Sequence, residues 1–458
     1  MPKRFLISIC WIAIFVCYSH SARQVVSIHP GNFFMLGQGK DIFYPQAVNA
    51  DFLLSPDLSI EQINDTLADW SSSGINTLRL RLDSLHAPGD PLELYLDKNG
   101  RFQEGILSTM DRLLEAAEEH NLHVILVLFD LQRLGEHWDS SPYNKAHGGP
   151  VESLSEWFTD SSMLSKAIER TKQIVERYKN RNILAWEIAR GANVWEQNKR
   201  PNYALMDGVN FWVIRLGNLI RKEDDQRHLT ALSFLPNTLP EMLLGLPQIK
   251  LHFIQVEAGD AQLAAQSIPP YLHSIRSLYK KPIFIVESRW KGEAWERDLF
   301  MRSTFWASLA YGSSTFLSPI RRGDSYQLAA PDLEILHTWN FFQPEFNWAG
   351  QPRPITSPAQ LTPPDSYTLV ESIFGYDRFF WIERKQPAQS KAIVSLQTVE
   401  GNYSIQWFNP KSGVKSPIQT FQLLRKTLTL QTPEFEHGVF GVLRLLKRKP
   451  QQPMAPGS

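Results

Sequence analysis

Two short apolar segments, residues 183–188 and 282–286, lead into residues of types that do acid–base and nucleophilic chemistry. Arg190 and Gly191 follow the first segment, and Glu287 follows the second. A carboxylate at such a position can act as a nucleophile or a proton donor, and a neighbouring guanidinium lowers its pKa. The chemistry of this chain is therefore predicted to lie where these two segments end.

Further candidate residues also follow strand-like segments or lie in the loops after them. Residues 75–82 alternate leucines with polar residues, which places Arg79 on the face opposite the leucines. Aromatic side chains after strand ends can bind the flat faces of ligand rings, although core packing is the ordinary alternative for any one of them. The other candidate binding residues are Asn49, Asp51, His137, Trp138, Arg190, Trp195 and Trp290.

The segments that must position these residues alternate between strand-like and helix-like patterns. About eight such alternations run from residue 43 to residue 318. Alternation predicts a parallel sheet covered by helices, and the count favours a closed (β/α)8 TIM barrel over an open doubly wound sheet. The fold class is predicted as α/β, with the barrel domain over residues 23–343 and its functional face at the carboxyl ends of the strands.

The sequence pattern changes after residue 343. Residues 344–366 are rich in proline and lack periodicity, which is typical of a connector. Short strand-like segments bounded by turn residues follow, so residues 367–447 are predicted to form a small all-β antiparallel sandwich. Residues 448–458 are predicted to be a disordered tail.

Residues 1–22 have the composition of a secretory signal peptide. Lys3 and Arg4 precede an apolar run, and small residues allow cleavage after Ser21 or Ala22. The apolar run is too short to span a bilayer comfortably. Both cysteines lie in this segment, so the mature chain has none. The protein is predicted to be secreted, to an extracellular or periplasmic location, with no membrane span.

The charge balance of the chain excludes some partners. Lysine and arginine total 47 and aspartate and glutamate total 47, so no overall field favours nucleic acid. No spacing of histidine and acidic residues indicates a metal site, and no cofactor is predicted. Aromatic residues make up 12% of the chain, with 14 tryptophans, which favours a ligand with flat apolar faces such as a sugar.

Three short motifs, in order along the chain, resemble those of the clan A glycoside hydrolases, the family 5-like barrels. Residues 74–79, with the sequence GINTLR, are similar to the signature of the second barrel strand. Residues 186–189, WEIA, resemble the approach to the fourth strand, and residues 281–287, KPIFIVE, resemble the seventh. Residues 403–413 are similar to part of the β-sandwich that follows the barrel in several bacterial members.

The resemblance implies a retaining hydrolase with two carboxylates about 5–5.5 Å apart. Glu287 matches the nucleophile, Arg79 matches an arginine that keeps it ionised, and His252 matches a histidine of the sixth strand. The family carries an Asn–Glu pair at the end of the fourth strand, where this chain has Arg190 and Gly191. Because glycine cannot transfer a proton, the acid/base position is degenerate at Gly191.

Three functions remain open from the sequence. The first is a protein that binds an oligo- or polysaccharide in a cleft at the top of the barrel, with weak or no hydrolysis. The second is an active retaining hydrolase that draws its acid from a loop, with Glu196, His137 and Asp139 as candidates. The third is a structural envelope protein whose cleft is filled by Arg190 in a salt bridge with Glu287. A second carboxylate within about 6 Å of Glu287 would favour the hydrolase.

Overall fold

The computed structural model describes most of the chain between residues 25 and 448. The described residues are 25–30, 36–39, 41–55, 58–84, 96, 97, 99–141, 143–194, 203–235, 240–258, 261–290, 296–322, 325–345, 352, 353, 355, 358–385 and 391–448. The predicted signal peptide and the predicted tail beyond residue 448 lie outside them. Among the described helices, none combines the length and the apolar character needed to cross a bilayer.

A small antiparallel sheet precedes the barrel and covers its amino-terminal end. Its strands are β1 (Val26–Ile28), β2 (Leu36–Gln38) and β3 (Asp41–Phe43). Val26 and Leu36 are buried together with interior residues of the barrel such as Leu229. The ring of Phe43 meets that of His123 edge to face at 4.9 Å. These contacts exclude water from that end of the barrel interior.

A parallel sheet of seven strands forms the barrel wall. The strands are β4 (Ala47–Asn49), β5 (Thr77–Arg81), β6 (His123–Val127), β7 (Ile183–Ala189), β8 (Leu229–Phe234), β9 (Leu251–Ala258) and β10 (Ile283–Trp290). Each strand is hydrogen-bonded to its sequence neighbours, so the order in the sheet follows the chain. Parallel neighbours need crossover connections, which the helices supply.

Residues 314–317 close the barrel between β10 and β4. The amide of Phe316 donates to the carbonyl of Ile285 at 2.8 Å, and the amide of Leu317 donates to the carbonyl of Ala47 at 2.8 Å. These bonds form parallel bridges on both sides of the segment. The eighth position of the barrel is thus filled by a segment too short to form a full strand, and the predicted barrel is confirmed.

Helices surround the barrel and bury one face each. They are α1 (Ile60–Ser72), α2 (Glu104–Glu119), α3 (Leu131–Glu136), α4 (Leu154–Thr159), α5 (Ser161–Tyr178), α6 (Tyr203–Glu223), α7 (Glu241–Gly245), α8 (Ala261–Tyr279), α9 (Arg297–Leu309) and α10 (Ala330–Phe342). In α1, the buried residues Ile63, Leu67 and Trp70 recur at helical spacing. Ser59 and Gln62 form a capping box, which satisfies the first free amides of that helix.

Two antiparallel sheets form the predicted sandwich after a short hairpin. The hairpin strands are β11 (Ile320–Arg322) and β12 (Ser325–Gln327). The sandwich strands are β13 (Pro352–Arg353), β14 (Gln360–Thr362), β15 (Tyr367–Phe374), β16 (Asp377–Arg384), β17 (Ile393–Gln397), β18 (Gly401–Phe408), β19 (Gln419–Leu423), β20 (Thr427–Gln431) and β21 (Gly438–Arg448). Because β13 pairs with β15 and β14 with β17, part of the predicted connector belongs to the sandwich.

The sandwich packs on the barrel through aromatic side chains. Trp306 of α9 stacks on Trp381 of β16, with ring centroids 4.5 Å apart. Phe342 of α10 lies 4.4 Å from Phe440 of β21, measured between ring centroids. All four residues belong to one buried apolar cluster that extends through the helices to the barrel wall. The two domains therefore share a hydrophobic core.

Candidate functional site

Charged side chains gather at the carboxyl ends of the barrel strands, the face on which barrel active sites form. Arg79 and Arg81 lie on β5, Arg190 follows β7, and Glu287 lies on β10. The charged cluster contains four arginines and five carboxylates, joined by ion pairs. Its members are Arg79, Arg81, Arg170, Arg190, Asp51, Asp83, Asp130, Glu187 and Glu287.

Arg190 binds Glu287 through two hydrogen bonds. Its Nε donates to Oε1 at 2.6 Å and its Nη2 donates to Oε2 at 2.8 Å. Parallel pairing of this kind between a planar guanidinium and a carboxylate is among the strongest hydrogen-bond geometries in proteins. Only 7% of the Arg190 side chain and 17% of the Glu287 side chain are exposed. Both oxygens of the carboxylate that matches the family nucleophile are therefore engaged by the arginine.

Asp130 binds the remaining nitrogen of Arg190. Nη1 donates to Oδ1 at 2.9 Å and to Oδ2 at 3.1 Å. Asp130 is fixed in turn, because it precedes α3 and accepts a hydrogen bond from the backbone amide of Arg133 at 3.0 Å. The guanidinium of Arg190 is thus held between two carboxylates from opposite sides.

Arg79 pairs chiefly with Glu187. Its Nε and Nη2 each donate to a Glu187 oxygen at 2.7 Å. Its Nη1 donates to Asn49 Oδ1 at 3.0 Å and lies 3.5 Å from Glu287 Oε1. Arg79 is 1% exposed and Glu187 is 0% exposed. Arg79 therefore neutralises a wholly buried carboxylate and also places positive charge beside Glu287.

Arg81 carries the cluster toward solvent. Its Nε donates to Asp51 Oδ2 at 2.6 Å and its Nη1 donates to Asp130 Oδ2 at 3.1 Å. Asp51 lies in the 3-10 turn after β4, and Asp83 lies in the corresponding turn after β5. Asp83 accepts from Arg170 Nη2 at 2.6 Å and from the Asp130 amide at 2.6 Å. These bonds order the turns that follow both strands.

Gly191 has a backbone conformation that disfavours any side chain. Its φ of +69° lies in the left-handed region. A Cβ at this position would lie 2.8 Å from the Cβ of Gln132, closer than real carbon atoms approach. The amide of Gly191 donates to Ser233 Oγ at 3.3 Å. The backbone and its neighbours thus exclude the glutamate that the family carries here.

The electrostatics of the cluster favour the ionised form of Glu287. Burial alone raises the pKa of Glu287, but hydrogen bonding and the charge of Arg190, with the charges of Arg79 and Arg81, lower that pKa to about 2. The same pairing raises the pKa of Arg190 above its ordinary value despite burial. At neutral pH the pair is therefore a stable ion pair.

Glu187 and Asp130 are the carboxylates that share an arginine with Glu287. Both accept hydrogen bonds from guanidinium groups, and an acceptor oxygen has no proton to give. Glu187 is also wholly buried. Neither carboxylate suits the role of general acid for a ligand at the barrel mouth.

Glu136 is a further carboxylate on this face. It is exposed at the end of α3 and accepts a hydrogen bond from Gln132 Nε2 at 2.7 Å. Gln132 in turn packs against Gly191. Glu136 therefore lies one side chain away from the degenerate position, and a loop-supplied acid would be sought first at this residue.

His137 and Trp138, which were predicted as binding residues, follow β6 on the same face of the barrel but lie outside the charged cluster. His137 is exposed, and Trp138 is partly buried with its ring packed against the core. Asp51 is a member of the charged cluster and accepts a hydrogen bond from Arg81, and Asn49 borders the cluster by accepting a hydrogen bond from Arg79. Trp195 lies outside the described residues, and for Trp290 only the backbone is described.

His252 is not part of the site, which corrects the sequence prediction. It is the second residue of β9 and therefore lies near the amino end of the strand, opposite the charged cluster. The residue is 0% exposed, and its Nε2 lies 3.1 Å from the carbonyl oxygen of Leu244. Burial, aided by the charge of Lys281, lowers the pKa of His252 to about 3. The neutral ring of His252 is thus packed in the protein interior.

Asp130 is the functional residue that sequence reasoning missed. Its position directly after the apolar run 122–129 was a signal, because that places it at a strand end. The run gave no sign that Asp130 would meet Arg190. Their contact depends on the parallel pairing of β6 with β7 and on the backbone bridge between the two residues.

No group of three or more histidine, cysteine, aspartate or glutamate side chains in the described part of the chain could hold a metal ion. In the charged cluster, the carboxylates face guanidinium groups, and these occupy the space in which a cation would bind. The arrangement is suited to hydrogen bonding of a polar ligand.

Comparison with known proteins identifies the class to which this fold belongs. No protein-family model matches the chain. Mannan endo-1,4-beta-mannosidase A of Hypocrea jecorina is 23% identical over 178 residues, which cover 37% of this chain and 38% of that enzyme. A family 5 glycoside hydrolase from Bacteroides vulgatus superposes with a TM-score of 0.61 at 11% identity, covering 92% of this chain and 94% of that one. The endo-1,4-beta-mannanase of Rhizomucor miehei gives a TM-score of 0.50 at 14% identity and covers 68% of this chain and 97% of that one.

The protein has the fold of the clan A glycoside hydrolases of family 5, a TIM barrel followed by an all-β sandwich. The resemblance seen in the three sequence motifs is confirmed at the level of fold. Arg190 and Gly191 stand at the end of the fourth barrel strand, where the resemblance implied an Asn–Glu pair.

Proposed function

We propose that this protein binds an oligo- or polysaccharide at the carboxyl-terminal face of its barrel, with weak or no hydrolysis. A carbohydrate ligand is supported by the fold, which matches solved glycoside hydrolases over most of the chain. Similarity to a mannan endo-1,4-beta-mannosidase makes β-1,4-mannan the first polymer to test. The binding surface comprises the exposed edge of the charged cluster and the loop after β6.

The observation that carries the loss of hydrolysis is the pairing of Arg190 with Glu287. A nucleophilic carboxylate must bring an oxygen to the anomeric carbon, and here both oxygens are held in place by one buried guanidinium, whose positive charge makes them weaker nucleophiles. Breaking a buried ion pair costs about 3–5 kcal/mol. The lack of a general acid at Gly191 lowers the rate by a further factor of about 10²–10⁴.

Binding of sugar hydroxyls remains possible at the edge of the cluster. The side chains of Arg81, Glu287 and Asp51 are 29%, 17% and 16% exposed. Charged donors and acceptors of this kind form strong hydrogen bonds with neutral hydroxyl groups. Trp138 and His137, in the loop that follows β6, offer an apolar ring face and a polar group on the same side of the barrel.

The experiment measures binding and turnover together. We expect wild-type protein to bind at least one β-linked polysaccharide, with β-1,4-mannan tested first, and Trp138→Ala to weaken the affinity about tenfold. Tyr376→Ala is the matched control, because Tyr376 is a 71% exposed aromatic residue in the sandwich. Aryl β-glycosides should not be hydrolysed above the rate of buffer. Turnover that disappears in Glu287→Gln would instead establish an active hydrolase, and Glu136→Gln would then test the loop-supplied acid.

A structural role in the cell envelope is the second candidate. It is favoured by the burial of Arg190, whose guanidinium occupies the centre of the site. The same panel discriminates between the candidates, because a structural protein would bind none of the polysaccharides and hydrolyse none of the glycosides.

We also propose that the protein is secreted, on the basis of residues 1–22. The intact mass of the protein recovered from its native source should correspond to a chain that begins at Ala22 or Arg23. A mass that includes the apolar segment would contradict cleavage.

A further inference from the structure

A cavity of about 590 Å³ lies at the end of the barrel opposite to the charged cluster. It is bounded by the carboxyl end of α6, the first residues of β8 and the segment that precedes β9. Ile28 of β1 contributes a wall from the amino-terminal sheet. The cavity is therefore separate from the site discussed above, and neither the fold nor the proposed function assigns it a ligand.

A buried aspartate–histidine pair faces this cavity. Asp224 accepts hydrogen bonds from the His228 amide at 2.9 Å and from Trp186 Nε1 at 2.9 Å, and both of its oxygens lie 3.2 Å from His228 Nδ1. Burial raises the pKa of Asp224, but the hydrogen bonds from His228 and Trp186 outweigh it and lower that pKa. A carboxylate on Nδ1 orients the imidazole and directs Nε2 away from it.

His228 is 8% exposed, so it is more than nine-tenths buried, and it lines the cavity. Its Nε2 makes no hydrogen bond with any residue that the structure describes. Polar groups at such burial are normally satisfied, which indicates that a ligand or solvent atom completes the hydrogen bonding of this ring. Because Asp224 faces Nδ1, Nε2 is the ring atom that is left to form a hydrogen bond with a ligand, as an acceptor in the neutral ring and as a donor in the protonated ring.

Three cations line the same cavity. Arg221, Arg227 and Lys250 are exposed and form no ion pair within the described ranges of the chain. Among the described residues of the lining, the single carboxylate belongs to Asp224, and its oxygens already accept hydrogen bonds from His228 and Trp186. The cavity therefore has an excess of positive charge and of hydrogen-bond donors, although the chain as a whole is neutral.

The rest of the lining is largely apolar. Ile220 and Leu229 are buried, and Ile28 is half-buried beside them. A fully solvated anion gains little from such walls, whereas a ligand with an apolar part removes them from water. The two halves of the cavity thus match the two ends of an amphipathic anion.

We propose that this cavity binds a small ligand in which a phosphate or carboxylate group is joined to an apolar group. The oxyanion accepts hydrogen bonds from the cations of Arg227 and Lys250, and His228 Nε2 is a further hydrogen-bond partner for the same polar group. The apolar group packs against Ile28, Ile220 and Leu229. This site is independent of carbohydrate binding at the other end of the barrel, so either proposal can fail alone.

The test titrates the full mature chain by calorimetry with four probes: phenyl phosphate, phenylacetate, inorganic phosphate and phenol. We expect saturable binding of phenyl phosphate or phenylacetate, weaker binding of inorganic phosphate, and no binding of phenol. The comparison of the first two probes shows which oxyanion the cavity prefers. If phenol binds as tightly as the charged probes, or if no probe binds, the proposal is overturned.

Substitutions of residues that line the cavity test whether the probes bind there. Lys250→Gln and Arg227→Asn each remove one cation, and asparagine tolerates the left-handed backbone of Arg227, whose φ is +60°. Each should raise the dissociation constant about tenfold, as expected for loss of one hydrogen bond to a charged group. Arg112→Gln is the matched control, because Arg112 is an exposed arginine of α2 outside the lining. Equal weakening by the control, or no weakening by the lining variants, would overturn the proposal.

Discussion

At the scale of single residues, Arg190 determines what Glu287 can do. A free glutamate at the end of the seventh barrel strand would be available to attack a sugar, but this one shares two hydrogen bonds with a buried guanidinium. Asp130 holds the same guanidinium from the other side, so Arg190 cannot move away without breaking its hydrogen bonds to two carboxylates. The retained glutamate is therefore a structural partner of Arg190.

Replacing Gly191 should destabilise the protein. In Gly191→Ala the new Cβ would lie 2.8 Å from the Cβ of Gln132, and the residue would keep a φ of +69°. The left-handed conformation costs roughly 1–2 kcal/mol and overpacking costs about 1–3 kcal/mol, so we expect a loss of about 2–5 kcal/mol. Urea denaturation measures this loss.

Gly105→Ala is the control for that substitution. Gly105 lies in α2, and a Cβ there would meet nothing within 4 Å. Because alanine favours a helix, this variant should be neutral or more stable by up to about 1 kcal/mol. If both variants unfold at the same denaturant concentration, the strain argued for Gly191 is absent.

The ion pair of Glu287 predicts a specific pH dependence of stability. The folded-state pKa of about 2 lies below the ordinary value of 4.5, so the folded form binds this proton less readily than the unfolded chain does. The stabilisation is present above pH 4.5 and is lost as the pH falls toward 2, and it amounts to about 3 kcal/mol.

Glu287→Gln isolates this contribution. The free energy of unfolding of wild type and variant, measured from pH 7 to pH 2, should converge as the acid limit is approached. A constant difference between the two proteins over the whole range would show that the Glu287 charge does not supply the stabilisation.

At the scale of elements, the sequence predicted strands and helices well because their patterns are local. The segment 183–188 became β7 (Ile183–Ala189), and the alternation of strands and helices continues through α8 (Ala261–Tyr279) despite Pro269 and Pro270. A closed barrel followed from the count of alternations, although its eighth position is filled by a segment with few hydrogen bonds.

Contacts between elements were predicted less well, because they depend on register. The pairing of Arg190 with Glu287 was considered from their opposite charges, whereas the second partner, Asp130, requires the alignment of β6 with β7. His252 was matched by resemblance to a site histidine of the sixth strand, but it is the second residue of β9 and lies at the end opposite the charged cluster. Spacing along one strand does not reveal which end of that strand a short motif occupies.

The contact between α9 and β16 provides a prediction at this scale. Trp381 is 3% exposed, stacks on Trp306 and donates a hydrogen bond to Glu383 at 3.1 Å. Truncation in Trp381→Ala should cost about 3–5 kcal/mol, because it leaves a cavity in the shared core. Tyr376→Ala, an exposed aromatic in the same domain, should cost less than about 0.5 kcal/mol.

At the scale of the whole molecule, the stacking of Trp306 on Trp381 should make the barrel and the sandwich unfold together. Wild-type unfolding, followed by tryptophan fluorescence and by far-ultraviolet circular dichroism, should give coincident single transitions. Two separated transitions would show that the domains unfold independently and that the shared aromatic cluster contributes little to stability.

The two sites for which binding is proposed lie at opposite ends of the barrel. The carboxyl-terminal face holds the arginine-filled site for which carbohydrate binding is proposed, and the amino-terminal face holds the basic cavity. The barrel interior between them is packed with apolar side chains. Binding of a ligand at one end of the barrel should therefore not prevent binding of a different ligand at the other end.

Labelling by a 2,4-dinitrophenyl 2-deoxy-2-fluoro-β-glycoside is the most direct measurement of whether Glu287, paired with Arg190, can still act as a nucleophile. Dinitrophenolate leaves without a proton, so the reagent removes the need for the missing acid and reports only whether the nucleophile is available. We expect no increase in intact protein mass after incubation with the gluco or the manno form of this reagent. A mass increase of one fluorosugar that is absent in Glu287→Gln would contradict this expectation, because Glu287 would then be free to attack despite Arg190.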